Sequence, residues 1–136
     1  MAELKDSIVR KPLKLYKGQA VAFDFDGVIH KYSKGWGDGS IYDEPNPKAI
    51  ELIKLLIAMN VPVFILSTRS PEQIAKWWNE HDFGVECKLI PDDVFFWKDT
   101  TMIGVTNRKL PAQVYVDDRG YKYTGQGVEE FIRDFM

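Results

Sequence analysis

Short apolar runs alternate with amphipathic stretches along this chain, and that alternation restricts it to one class of fold. Residues 20–23, 61–66, 85–90 and 112–116 are apolar runs of strand length. Such runs mark strands buried on both faces, as in a parallel sheet. After the first run, Asn46 is placed to cap a helix, Pro47 suits its first position, and Ile50, Ile53, Leu56 and Ile57 form one apolar stripe. Asn60 offers a left-handed exit, so this helix is predicted over 47–59. After the second run, Ser70 caps, Pro71 opens the helix and Gln73 completes an S-x-x-Q capping box. Ile74, Trp77 and Trp78 keep helical spacing up to Gly84, which reads both tryptophans as core. Val128, Phe131, Ile132 and Phe135 predict a closing helix. The expected architecture is α/β, with a parallel sheet covered by helices on both faces and ligands at the carboxyl ends of the strands.

At 136 residues, with 45% hydrophobic and 28% charged side chains, the chain fits one soluble globular domain. The net charge of −2 hides an asymmetry: residues 1–18 carry five cations and two anions, a basic lead-in of +3 that leaves −5 for the remainder. That lead-in reads as a solvated arm, with contact to a phosphate polymer as the alternative. Cys87 is the sole cysteine, reads as a small core residue and allows no internal disulfide. No run approaches a membrane span and the N-terminus lacks a signal-like apolar region, so a cytoplasmic protein is expected.

The chemistry gathers where strands are predicted to end. Asp24 and Asp26 flank Phe25 and precede Gly27. A period of two sends both carboxylates to one side of a strand, where they repel unless a cation or shared proton intervenes. A polar strand end running into a turn is the bland alternative. Ser67, Thr68 and Arg69 close the second run just outside a helix N-terminus, a position that attracts phosphate. Asp117, Asp118 and Arg119 close the last run, and Lys109 stands shortly before it. Asp92, Asp93 and Lys98 offer rival placements, ranked lower because Lys109 shares a short segment with the strand that ends in Asp117. Residues 30–45 hold Gly35, Gly37 and Gly39 alternating with Trp36 and Asp38. This reads as a mobile flap beside the carboxylates, with Tyr32 and Trp36 available to a substrate and His30 incidental.

Taken in order, D-F-D-G-V at 24–28, I-L-S-T-R at 65–69, the lysine of N-R-K-L-P at Lys109 and V-D-D-R at 116–119 resemble the four motifs of the haloacid dehalogenase superfamily of phosphohydrolases. The resemblance spans nearly the whole chain. It implies a three-layer Rossmann-like domain without a cap, with four core strands and a fifth that is short, near 121–124, or missing. It further implies Asp24 as nucleophile, Asp26 as general acid and base, and Lys109 as the neutralising cation. Ser67, Thr68 and Arg69 would bind the phosphoryl group, and Asp24, Asp26 and Asp117 or Asp118 would hold Mg²⁺. The expected activity is hydrolysis of phosphomonoesters through an aspartyl phosphate. With no cap to enclose it, the site suits a large or nucleotide-like phosphoester, a nucleic-acid end being the preferred case, unless a second subunit serves as lid. A non-catalytic phosphate- or magnesium-binding module is the alternative. A dehalogenase is disfavoured, because the family's dehalogenases lack the second aspartate that Asp26 supplies.

Overall fold

The structure, a computed structural model, describes Leu15, residues 18–117 and, as backbone, Tyr121–Lys122. The strands are β1 (Val21–Asp24), β2 (Val63–Leu66), β3 (Cys87–Leu89), β4 (Ile103–Thr106), β5 (Val114–Asp117) and the two-residue β6 (Tyr121–Lys122). The helices are α1 (Pro47–Ala58) and α2 (Pro71–Glu80). All strands join one sheet in the order β3-β4-β2-β1-β5-β6, each neighbouring pair parallel. The protein is α/β, and β1 and β2 lie at the middle of the sheet.

Local chemistry sets the helix ends. Asn46 Oδ1 accepts the Lys48 N–H at 3.2 Å, and Asn60 leaves α1 with φ of 62°. Ser70 Oγ accepts the Gln73 N–H at 3.4 Å. The reciprocal half of the expected capping box is not made, and Gln73 Nε2 donates to Gly39 O at 3.4 Å. Trp77 and Trp78 are both buried, and Trp78 Nε1 donates to Val85 O at 2.8 Å. Burial pushes the Cys87 thiol up to about 12, as a core position requires. No helix among the described residues is long and apolar enough to cross a membrane.

One expectation needs correction. The weakly patterned segment 94–108 holds β4, which is buried along its whole length and pairs with both β2 and β3. The sheet thus has five strands of three or four residues, with β6 as a short sixth inside the region expected for a reduced strand. The layers are seen in part. Val21, Phe23, Val63, Ile65, Ile103, Val105, Val114 and Val116 pack on one face with Ile53 and Leu56 of α1 and Ile74 and Trp78 of α2. On the opposite face Ala22 and Phe64 meet Ile90, Trp97 and Leu110 from irregular connections. Among the described residues, both helices lie on one face. Crossover handedness accounts for this. The steps from β1 to β2 and from β2 to β3 run the same way across the sheet, and right-handed connections put their helices on the same side. The steps from β3 to β4 and from β4 to β5 run back, so residues 90–102 and 107–113 cover the other face. The closing helix expected over 128–135 and the basic lead-in, apart from Leu15 and Gly18, lie outside the described residues.

The face lined by Ile90, Trp97 and Leu110 is tightly filled at Gly104, the second residue of β4. A Cβ there would lie 2.6 Å from Ile90 Cγ1 and 2.9 Å from Trp97 Cδ2. Overpacking of this kind costs about 1–3 kcal/mol. Gly104→Ala is expected to lower the unfolding free energy by that amount in urea titrations, through a lower midpoint at unchanged slope.

Candidate active site

At the end of β1 the chain turns sharply under three hydrogen bonds to one carbonyl. Phe25 O accepts from the N–H groups of Val28, Ile29 and His30 at 3.3, 2.9 and 2.9 Å. Gly27 makes the turn possible with φ of 84°, a region that costs a residue with a Cβ. The turn fixes Asp24 and Asp26 two residues apart at the carboxyl edge, and Phe25 N donates to Asp24 Oδ1 at 2.8 Å.

Parallel neighbours end at the same edge. Asp24 pairs in register with Leu66, the last residue of β2, and Leu66 pairs with Thr106, the last of β4. Phe23 pairs with Val116, so Asp24 and Asp117 each stand one residue further along adjacent strands. A cleft of ≈ 560 Å³ opens there, lined by Asp24, Asp26, Ser67, Thr68, Lys109 and Asp117, together with Phe23, Tyr32, Leu66, Asn107 and Tyr115. The unexpected β4 explains how Lys109 reaches this place. A lysine just ahead of β5 would belong to the opposite edge, but one three residues past the end of β4 belongs to this one. Asp92, Asp93 and Lys98 line no part of the cleft. Asp118 and Arg119 lie outside the described residues.

Several polar groups in the cleft are oriented by a neighbour. Ser67 Oγ accepts the Arg69 N–H at 3.2 Å, which leaves the hydroxyl proton to donate elsewhere. Lys109 Nζ lies 5.3 Å from the centroid of the Tyr115 ring, whose hydroxyl donates to Leu110 O. Burial, and then the negative charge of Asp117, push the Tyr115 phenol above its ordinary value, so it remains a donor. Asn107 and Tyr115 are additions that motif reading missed; no spacing marks them, and the fold alone brings them to the cleft, which Tyr32, already named in the flap, also lines.

Arg69 is not in the cleft wall. It is 2% exposed, and its Nε donates to both oxygens of Asp26 at 3.0 and 2.9 Å. His30, read as incidental, is fully buried beside the same carboxylate, its Nδ1 lying 2.9 Å from Asp26 Oδ1. The tautomer follows from geometry. His30 Nε2 accepts the Asp43 N–H at 3.0 Å, so Nε2 carries no proton and Nδ1–H donates to Asp26.

The donor set suits Mg²⁺ at Asp24 and Asp117. That ion takes one or two carboxylates and completes its shell with substrate oxygens and water. The Asp26 carboxylate, expected as a further ligand, lies in the same cleft and accepts from Arg69 and His30. The chain matches no family model, no curated protein and no solved structure.

The flap closes on itself at its base, where Lys31 N donates to Glu44 O at 3.1 Å and Asn46 N to Ile29 O at 2.8 Å. Inside it, Asp43 Oδ2 accepts from Ser33 Oγ at 2.6 Å and Ser33 N at 2.9 Å, and Tyr42 Oη accepts the Lys34 N–H at 2.7 Å. The expected mobile loop is thus a braced one. Those Ser33 bonds, followed by the Glu44 N–H, lower the Asp43 carboxyl from its ordinary 3.8 to about 2. Because the shift is downward, the bracing is complete above the ordinary value and is lost as pH falls through about 2. Carbon-13 NMR titration is expected to find the Asp43 midpoint near 2, and Ser33→Ala should return it toward 3.8.

Proposed function

We propose that the protein is a magnesium-dependent phosphohydrolase of the haloacid dehalogenase type, acting on phosphomonoesters through a phosphorylated Asp24. The observation that carries this reading is the single cleft shared by Asp24, Asp26, Ser67, Thr68, Lys109 and Asp117. Two carboxylates alone repel a phosphate. Beside them stand a lysine and two hydroxyls at the mouth of a helix N-terminus, so the cleft pairs a nucleophile with groups that hold the phosphoryl charge.

Asp24 attacks phosphorus as an Asp24 O–P bond forms and the ester P–O bond breaks. Asp26 gives its proton to the leaving oxygen. Asp26 then takes a proton from water, which displaces phosphate and restores Asp24. Ser67 and Thr68 orient the phosphoryl oxygens, and Lys109 balances their charge. Asp24 and Asp117, with Asp118 as a further expected ligand, would hold Mg²⁺, which would supply positive charge at the phosphoryl oxygens. The flap, with only sixteen residues between Ile29 and Asn46, stands in for a cap. That favours a large phosphoester, a nucleotide or nucleic-acid end before a small metabolite.

A screen of phosphomonoesters with and without Mg²⁺ tests this reading. Turnover is expected only with the metal, and Asp24→Asn should cut kcat by roughly a thousandfold or more while circular dichroism stays unchanged. Phosphate binding without turnover would assign the cleft to a non-catalytic module. Turnover that survives Asp24→Asn would remove the proposed nucleophile.

A further inference from the structure

Arg69 sits where motif reading expects a substrate ligand, yet its side chain is wholly buried against other groups. Its Nε spans the two oxygens of Asp26 at 3.0 and 2.9 Å, while Nη1 donates to Gly39 O in the flap at 2.5 Å. The Trp36 ring lies over the guanidinium, 4.4 Å from Cζ to the centroid. Trp36 is itself 51% exposed, so it forms an outer leaf over the buried cation. The close stacking fits the missing side chain at Gly39, where a Cβ would lie 3.0 Å from the Trp36 ring. Tyr32, which lines the cleft, has its centroid 5.9 Å from the same Cζ. One planar cation therefore touches the flap tip, a cleft aromatic and the carboxylate that faces the reaction.

We propose that Arg69 is a positioning residue that joins the flap to Asp26, so that Asp26 is aimed at the leaving oxygen only when the flap is seated. The proposal rests on the phosphatase reading for the role of Asp26, while the mechanical link rests on geometry alone. A lysine cannot serve both ends, because its single ammonium lacks the fixed fork that reaches a carboxylate on one edge and a carbonyl on the other. The link is also reciprocal: if the flap orders Asp26 through Arg69, loss of the Asp26 charge must loosen the flap. Substrate choice follows. An ester whose leaving group lifts the flap gives up proton donation by Asp26, and only good leaving groups tolerate that.

The test uses Arg69→Lys, Trp36→Ala and Asp26→Asn beside the wild type. Trp36→Ala is a surface change that leaves the Asp26 contacts in place and guards against misfolding of the buried variant. Trypsin cleavage after Lys31 and Lys34 reads the flap without any turnover. All three variants are expected to be cut there about tenfold faster than wild type, a difference equal to about 1.4 kcal/mol in the open population. In kinetics, Arg69→Lys is expected to lower kcat for alkyl phosphates by about a hundredfold, the span of a lost general acid. The loss with 4-nitrophenyl phosphate should be much smaller, and KM nearly constant. A raised KM for both esters with a flap as resistant as wild type would make Arg69 a substrate ligand and overturn the proposal. If the wild type shows no turnover, the phosphatase reading fails by itself. The link then stands or falls on whether Asp26→Asn and Arg69→Lys speed cleavage of the flap.

Discussion

Parallel pairing is the constraint on which the rest of this structure depends. Strands that run the same way leave the sheet at one edge, so whatever follows β1, β2, β4 and β5 is gathered there without a dedicated binding element. The register is tight: Asp24 is level with Leu66, and Leu66 with Thr106. A slip of one residue in any pair would turn its core side chains toward the wrong face. The same packing of Val21, Phe23, Val63 and Ile65 against α1 and α2 that stabilises the fold therefore also sets the spacing of the cleft.

Behind that edge lies a costly group. Removing a guanidinium from water costs several kcal/mol, and a buried ion pair recovers this only when its geometry is good and its remaining donors are met. Arg69 has Asp26 on one edge, Gly39 O on another and the Trp36 face above, while Nη2 finds no partner. The pair is therefore weak support for stability taken alone. Its clearer effect is on the orientation of Asp26, to which His30 also donates. Breaking such a pair from one side typically costs 3–5 kcal/mol, about a third to a half of the stability of a small domain.

Much of this was legible in the sequence, and the misses have physical reasons. Asn46, Pro47, Ser70 and Pro71 act locally, through hydrogen bonds and backbone dihedrals within one turn, so they announced α1 and α2 correctly. β4 was hidden because four residues with a glycine and a terminal threonine give too short an apolar pattern, though its neighbours bury it completely. The face occupied by the helices depends on strand order, which no periodicity records. Asp24, Asp26, Ser67, Thr68, Lys109 and Asp117 were named as strand-end chemistry and share one cleft. Arg69 was expected at the phosphoryl group and His30 as incidental; both hydrogen-bond Asp26, from 43 and 4 residues away, through contacts that no motif spacing records.

The sealed base of the flap has a further consequence for how this protein can change. Lys31 is bonded to Glu44 and Ile29 to Asn46, so the loop's ends are fixed whatever lies between them. Lengthening such a loop adds only the slow logarithmic entropy of a longer closure, about 0.6 kcal/mol for each doubling. The turn at Gly37 and Gly39 is thus a doorway for insertion, where a longer segment or a folded module could be grafted over the cleft while the sheet beneath kept its register. The domain is built with its mouth already hemmed, ready to be given a different lid.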